Sequence, residues 1–303
     1  MATIGDLRQP PAATRGARPA VARRLARFGW DGVRYLLLGL YAILCLYPFL
    51  WMIATSLRTS ASVFGSGLSL SVSDPQWQNY REIWTQANVP RAAMNTIIIT
   101  GVCMALIILT TSMTAYALTR SDFPGRRLVL VALLTTFLIP GEMLIIPTFY
   151  VTRALHLIGD WRSVIAVVLV MTAGAQVFNI YLLMGHFQTL PREIYDAADI
   201  DGASYFGTYW RIALPLTRPA LATIVLLTFM GVWNAYLIPL VYLSQQREWQ
   251  TLTIALIQYS KRFQTLYHIM AAGAVIALVP VIIIFVLLQR YFIAGLTEGA
   301  TKG

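Results

Sequence analysis

One polar stretch, residues 196–219, lies between two long apolar segments and contains the residues best suited to binding a partner protein. It reads DAADIDGASYFGTYWRIALPLTRP. Its carboxylates are expected in the first turns of a short amphipathic helix, where they complement the helix N-terminus: Asp196, Asp199 and Asp201. Its small residues would let another protein approach closely: Ala197, Ala198 and Ala203. Gly202 predicts a tight turn after that helix.

This combination indicates a binding surface and no catalytic centre. The three histidines, His156, His186 and His268, are far apart and show no ligand spacing. No Gly-x-x-x-x-Gly-Lys-Ser/Thr loop is present to cradle nucleotide phosphates. The sequence therefore predicts neither a metal site nor a cofactor of its own.

Polar residues inside apolar segments form a second group of candidates, because burying them in a membrane is costly. Glu142 follows Pro140 and Gly141, which are expected to break a helix and expose backbone to a polar ligand. Trp233 beside Asn234 places a ring face next to an amide, as sugars require. The alternatives are a hydrated carboxylate near the outer interface and a Trp that packs at a helix bend. The candidates for a translocation path are Asn95, Glu142, Trp233 and Asn234.

Composition assigns the chain to polytopic membrane proteins. Its 303 residues are 57% hydrophobic and 12% charged, with a mean hydropathy of +0.64. The net charge of +10 would favour nucleic acid in a soluble protein. Here it is explained by arginines on one side of a membrane, so no nucleic-acid partner is predicted. Cys45 and Cys103 lie in apolar segments and predict no disulfide.

Six segments have the length of a transmembrane helix. A signal peptide is the alternative for the first, which is too long for one and lacks a cleavage site. Residues 1–30, rich in Ala, Pro and Arg, are predicted to be a disordered basic tail. The predicted spans are Tyr35–Ile53, Ala93–Leu118, Leu128–Thr152, Val164–Met184, Ala220–Leu243 and Ile269–Tyr291.

The distribution of basic residues predicts the orientation. With the N-terminus inside, fifteen of the 23 lysines and arginines lie on the inner side. Both termini and the stretch 196–219 are then cytoplasmic. Residues 244–267 become an outer loop whose apolar residues are too few to span and could lie on or dip into the membrane: Leu252, Ile254, Ala255 and Ile257.

The spacing within the polar stretch resembles the EAA loop of importer-type ABC transporter permeases. That pattern is Glu-Ala-Ala, three residues, Gly, nine residues and Ile-x-Leu-Pro. The matching residues are Asp196-Ala197-Ala198, Gly202, Ile212, Leu214 and Pro215. Asp196 in place of Glu keeps the charge and shortens the side chain by one methylene.

Other motifs resemble the carbohydrate-importer branch, and in particular the smaller permease of maltose-type transporters. They are Leu46-Tyr47-Pro48-Phe49, Tyr116-Ala117-Leu118 with Arg120, Trp233-Asn234 with Tyr236, and Gly299-Ala300-Thr301-Lys302-Gly303. The resemblance implies an all-α membrane protein with the six-helix, MetI-like fold of type I importer permeases. Residues 31–303 would form this domain, with a coupling loop at about 186–219.

The resemblance also implies function and partners. The chain would import a carbohydrate across the cell membrane of a prokaryote. Its partners would be a second homologous permease, two ATPase subunits that bind ATP and Mg, an extracytoplasmic sugar-binding protein or lipoprotein, and membrane lipid. The C-terminal tail would reach the ATPases and the 244–267 loop the binding protein. The implied coupling residues are Asp196, Ala197, Ala198, Asp201, Gly202, Ala203, Ile212, Leu214 and Pro215.

Other functions remain open at this stage. The solute could be a glycerol phosphate-type or other small molecule. A stand-alone secondary transporter would predict an internal repeat or paired broken helices with buried charges. An intramembrane enzyme would need a catalytic set inside the spans.

Overall fold

Helices are the only regular elements in the part of the chain that the structure, a computed structural model, describes. The backbone is described for residues 20–65, 67–262 and 266–300, and the side chains for residues 30–65, 67–260 and 266–289. The first seven helices are α1 (Ala20–Ser56), α2 (Ser60–Gly65), α3 (Gln78–Gln86), α4 (Val89–Arg120), α5 (Arg126–Phe137), α6 (Ile145–Ala154) and α7 (Arg162–Thr189).

Seven further helices complete the described chain. They are α8 (Arg192–Ile200), α9 (Tyr205–Thr208), α10 (Leu214–Leu216), α11 (Arg218–Trp233), α12 (Leu237–Leu243), α13 (Leu252–Arg262) and α14 (Tyr267–Ala300). A short 3₁₀ helix, Gly141–Leu144, precedes α6, and a π-helix, Tyr209–Ala213, separates α9 from α10.

The ends of the chain contain more helix than the sequence predicted. Most of α1, up to Trp51, forms a unit of its own, and residues 52–303 form the other. α1 begins at Ala20, inside the predicted tail, because Ala, Leu and Arg favour helix in this stretch; residues 1–19 of that tail lie outside the described residues. α14 continues to Ala300 through most of the expected tail, and the last three residues are not described.

α4 and α7 form the centre of the second unit. They pack side by side, and α11 packs against both. Fully buried side chains from each of these helices fill the contact, including Ile107, Leu183 and Ile224. A second cluster joins α3, α11, α13 and α14 around Ile83 and Ile269. The start of α4 packs against α13, and the end of α4, at Arg120, lies next to α8. We call the corresponding ends of the helix bundle the α13 end and the α8 end.

The six predicted spans are compatible with the structure, although two are interrupted. Four helices are long and apolar enough to span a membrane, and two bent helix pairs raise the number to six. The predicted break at Pro140 and Gly141 is confirmed: α5 and the segment Gly141–Ala154 meet at 92°. Pro140 explains it, because a proline ring clashes with the carbonyl four residues earlier in a helix.

The prediction of one continuous span from Ala220 to Leu243 was wrong. α11 ends at Trp233 and α12 begins at Leu237. Pro239 would clash with the carbonyl of Ala235 in a continuous helix. At the end of α11, the side-chain amide of Asn234 donates to the Met230 carbonyl at 2.9 Å.

The outer loop also differs from its prediction. Leu252, Ile254 and Ala255 are buried inside the protein, on α13. They pack against α4 and α14, so these three side chains do not lie on the membrane surface.

Candidate functional site

α8 is the helix that presents the candidate partner-binding residues. Pro191 separates it from α7, because proline lacks the N–H that a continuous helix would need. Two residues spaced three apart, Tyr195 and Ala198, are 3% and 4% exposed and face the protein. Asp196 and Ala197 lie on the opposite, exposed face. α8 therefore has one face packed against its own chain and one face open.

The charges of α8 are arranged differently from the prediction. The helix begins at Arg192, so Asp196 lies in its middle, while Asp199 and Asp201 lie at its C-terminal end. Carboxylates at that end oppose the helix dipole. The sequence interpretation placed the helix start at Asp196 and overlooked Pro191 as the start signal. A nearby cation would offset the unfavourable position of the Asp199 charge.

Arg120 at the end of α4 supplies that cation. Its guanidinium lies 4.0 Å from the Asp199 carboxylate and 4.0 Å from the centre of the Tyr195 ring. Burial raises the pKa of the Tyr195 hydroxyl above its ordinary value, and the positive charge of Arg120 opposes the shift. The ring thus remains a neutral phenol under the guanidinium. α8 is tied to α4 by a cation–π contact and a long ion pair.

Gly202 forms the turn that ends α8. Its φ is +72°, and no atom lies within 4 Å of the position that a β-carbon would occupy. The amide of Ala203 donates to the Ala198 carbonyl at 2.9 Å, and the amide of Gly202 donates to the Asp199 carbonyl at 3.1 Å. These two bonds are those of a Schellman motif, whose left-handed residue is usually glycine. Gly202 is needed here for its backbone conformation and not for space.

An aromatic cluster forms the second anchor between the coupling loop and α4. Tyr116, 2% exposed, lies in its centre. Its ring centroid is 5.7 Å from that of Phe187, 5.0 Å from that of Tyr205 and 5.2 Å from that of Tyr209. The Tyr209 hydroxyl is 2.7 Å from the Ser112 hydroxyl. Residues on both sides of Gly202 are therefore fixed to α4.

Ile212, Leu214 and Pro215 shape the exit from the loop. They are only partly exposed, in the π-helix and α10. The amide of Leu214 donates to the carbonyl of Tyr209, five residues earlier. This π-bonding just before Pro215 relieves the clash that the proline would cause in an α-helix. The segment Tyr205–Leu216 then meets α11 at an angle of 77°. These three residues set the direction of the chain and do not lie on the open face of α8.

The sequence interpretation missed several residues of this site. Ile200, at the end of α8, is 86% exposed, and Phe206 is 59% exposed. Their apolar character within a charged stretch was the available signal. The pairing of Tyr195 with Arg120 had no such signal, because it joins residues 75 positions apart. Ala203 is partly exposed and Asp201 is exposed.

The polar candidates inside the spans fall into different places. The Asn95 amide donates to the carbonyls of Glu248 and Gln250 at 2.9 and 3.0 Å, which binds α4 to the segment before α13. Trp233 is buried, donates from Nε1 to the Ala277 carbonyl at 3.1 Å and stacks on Phe229. Glu142 is exposed at the break between α5 and α6. Of these three, Glu142 lines the cavity between α5, α6, α7 and α12, and Asn95 and Trp233 are not part of that lining.

That cavity has a volume of about 920 Å³ and is bordered by both interruptions of the predicted spans. Glu142 and Pro140 line it from the first, and Ala235 and Tyr236 from the second. Among the described residues, no group of three or more His, Cys, Asp or Glu side chains could hold a metal ion. The site thus consists of an open helix face on α8 and this cavity.

Residues 107–298 match the family model described as "Binding-protein-dependent transport system inner membrane component". The match covers both anchors, α8 and most of the cavity. The chain belongs to this family of permeases. Its role is therefore transport, and it is the inner-membrane component of a transport system.

Individual relatives agree with the family. The permease is 35% identical over 266 residues to the arabinooligosaccharides transport system permease protein AraQ of Halalkalibacterium halodurans, covering 86% of this chain and 93% of the relative. It is 29% identical over 272 residues to the diacetylchitobiose uptake system permease protein NgcG of Streptomyces coelicolor, covering 89% and 88%. A solved bacterial ABC transporter for import of the acidic polysaccharide alginate contains a chain that is 25% identical, with a TM-score of 0.75, covering 88% of this chain and 98% of that one.

Proposed function

We propose that this permease is one half of the membrane channel of an ATP-driven importer that moves a carbohydrate into the cytoplasm. The names of the relatives support the solute class, because they refer to saccharides and an alginate polysaccharide. The family description supports dependence on a binding protein. A second homologous permease, two ATPases that hold ATP and Mg, and an extracytoplasmic sugar-binding protein complete the proposed complex.

The observation that carries the proposal is the two-faced geometry of α8. Tyr195 and Ala198 are buried on one face, which Tyr195 joins to α4 through Arg120, while Asp196, Ala197 and Ile200 remain open to a partner. An ATPase that contacts the open face would displace α8 together with the end of α4, because Arg120 contacts Tyr195 before the Gly202 turn and Tyr116 contacts Tyr205 after it. Closure of the ATPases would thus be transmitted into a helix of 32 residues that runs through the core.

The proposal fixes an orientation. The α8 end faces the cytoplasm, where ATP is, and the distribution of arginines favours the same side. The α13 end then faces outward, towards the binding protein, and both termini are cytoplasmic. Within the loop, Asp196, Ala197, Asp201 and Ala203 contact the ATPase. Gly202, Ile212, Leu214 and Pro215 hold its shape.

The test is ATP hydrolysis by the reconstituted complex. The permease is co-expressed with a candidate second permease and a candidate ATPase of the same organism, purified as a complex and placed in liposomes with a candidate binding protein. The binding protein is loaded in turn with neutral oligosaccharides, acidic oligosaccharides and glycerol phosphate. We expect hydrolysis to rise only with a loaded binding protein and one saccharide class. Stimulation by glycerol phosphate alone would replace the carbohydrate by that solute, and uptake by the permease alone would contradict the ATP-driven function.

A further inference from the structure

The cavity between the interrupted spans has a depth that suits a passage for solute. Its lining on α7 extends from Leu169 to Val177. At 1.5 Å per residue, these positions lie about 10 to 22 Å from the first residue of a helix about 42 Å long. The cavity is thus near the middle of the bilayer. Interrupted backbone at this depth is tolerated where it is buried in protein or lines a water-filled cavity.

The lining of this cavity is mostly apolar and contains one charged side chain. Glu142 is its only charged side chain. No ion pair to Glu142 exists among the described residues. The other hydroxyl groups of the lining belong to Thr136, Thr148, Thr152 and Tyr236. Hydroxyl-rich, uncharged molecules can donate hydrogen bonds to the carboxylate and place apolar ring faces on the remaining surface.

A solute with a negative charge would meet a different environment. A carboxylate repels an anion more strongly beside apolar walls than in open water, because the local dielectric constant is lower. Relatives named for arabinooligosaccharides and for the acidic polysaccharide alginate both match this chain. Membership of the family therefore does not determine the charge of the solute, whereas the charge of the cavity lining bears on it directly.

We propose that this cavity is a saccharide-binding part of the passage and that Glu142 makes it selective for uncharged over anionic solutes. The proposal rests on the proposed function as an importer, but the charge of the cavity can be measured without transport. A basic residue of the second permease opposite Glu142 would cancel the selectivity. In the experiment below, equal cationic-to-anionic ratios at position 174 and at the control position, with Glu142 present, would indicate such a residue and overturn the selectivity.

The experiment measures the electrostatic sign of the cavity with cysteine reagents on the assembled complex without nucleotide. Cys45 and Cys103 are replaced by Ser and Ala, and Gly174→Cys is introduced as a reporter. Gly174 lines the cavity, and no atom lies within 4 Å of its β-carbon position. The rates of modification by a cationic and an anionic methanethiosulfonate are compared with Glu142, Glu142→Gln and Glu142→Asp. Gln245→Cys, exposed in the segment before α13, is the control position.

With Glu142 or Glu142→Asp, the cationic reagent is expected to react faster at position 174. Glu142→Gln should lower the cationic-to-anionic ratio about three- to tenfold, because the lost charge attracts one reagent and repels the other. The ratio at Gln245→Cys should stay constant. An unchanged ratio at position 174, or no modification there by either reagent, overturns the proposal. Saccharide-stimulated ATP hydrolysis by the parent complex tests the proposed function separately, so either can fail alone.

Discussion

Two polar connections, at opposite ends of the same helix bundle, differ in how they use their apolar residues. At the α13 end, residues 244–262 bury Leu252 and Ile254, which are 2% and 0% exposed. At the α8 end, Ile200 is 86% exposed. Both connections read as amphipathic loops between apolar spans. One completes the core of its own chain, and the other leaves an apolar side chain for a partner.

The hydrogen bonds show the same difference. The segment at the start of α13 is held by several bonds to the start of α4: Asn95 donates to the carbonyls of Glu248 and Gln250, the Leu252 amide donates to Thr96 Oγ1 at 2.8 Å, and Arg91 pairs with Glu248 at 3.1 Å. α8 is held to the end of α4 along the single face where Tyr195 and Asp199 contact Arg120. Both connections are thus joined to α4, at its opposite ends. α13 also packs against α14 and none of its residues 252–260 is exposed, whereas the second face of α8 stays open.

The same substitution at the two ends gives the largest predicted contrast. Ile254→Ala should lower the free energy of unfolding by about 2–5 kcal/mol, because it removes buried methyl groups and leaves a cavity. Ile200→Ala removes a side chain that is exposed in the isolated permease, so it should change the free energy of unfolding by less than about 0.5 kcal/mol. Thermal unfolding of the purified permease measures both. Comparable losses at the two positions would show that α8 is not an open face.

The next effect concerns the turn that orients this face. Gly202→Val should cost about 1–3 kcal/mol locally, since a β-branched residue adopts φ of +72° only under strain. Gly202→Asn is the matched control, because asparagine tolerates the left-handed conformation and the space is open. We expect Val to uncouple ATP hydrolysis from uptake and Asn to retain most of the coupling, at equal permease levels in the membrane. Equal uptake by the two variants would contradict the role of the turn.

Local signals in the sequence were enough for the turn and for one interrupted span. Pro140 and Gly141 predicted the break before Glu142, and Gly202 predicted the turn, because both depend on backbone restrictions within a few residues. Pro239 carried an equivalent signal for the second interruption, but the apolar run around it favoured a continuous span. The prediction of a continuous span failed because the hydropathy of the run was given more weight than the restriction that Pro239 places on a helix.

Tertiary contacts explain what the sequence could not predict. The burial of Ala198 and the exposure of Ala197 depend on which face of α8 meets α4, and both alanines look alike in sequence. Asn95 was expected near the solute, whereas it bonds to carbonyls more than 150 residues later. A polar residue in a span is costly in either case, so its presence alone does not distinguish a structural hydrogen bond from a solute contact.

A smaller effect is expected from the anchor of α8. A double-mutant cycle with Arg120→Gln and Tyr195→Leu should give a coupling energy of about 0.5–2 kcal/mol, the range for a cation–π contact. Asp199→Asn should matter less, because a partly exposed pair at 4.0 Å contributes about 0–1 kcal/mol. Unfolding measurements supply the cycle, and the ratio of uptake to ATP hydrolysis reports transmission to α4.

Tyr195→Phe is the control for that cycle. The Tyr195 hydroxyl is buried without a hydrogen-bond partner among the described residues, so its removal should be neutral or slightly stabilising. The ring beneath Arg120 is retained, and coupling should be retained with it. A loss of coupling in Tyr195→Phe equal to that in Tyr195→Leu would exclude the ring as the contact that matters.

The smallest effect on stability, and the sharpest on assembly, is predicted for Asp196. It lies on the open face of α8, exposed and without an ion pair in the described part of the chain. Asp196→Ala, →Glu and →Lys should each leave the unfolding of the isolated permease nearly unchanged, because exposed charges contribute about 0–1 kcal/mol. In the complex, Asp196 is expected to meet a basic residue of the ATPase.

The order of the three variants in the complex then distinguishes a contact from a solvated charge. Asp196→Lys should lower assembly and uptake far more than Asp196→Ala. Like charges at a desolvated interface cost about 3 kcal/mol or more, whereas truncation to Ala only removes one ion pair. Asp196→Glu should be tolerated, because it keeps the charge and lengthens the side chain by one methylene. ATPase co-purification and saccharide uptake at equal permease levels measure this order. Equal assembly and uptake in all three variants would place Asp196 outside the interface and leave Ile200 and Ala197 as the residues that a partner contacts.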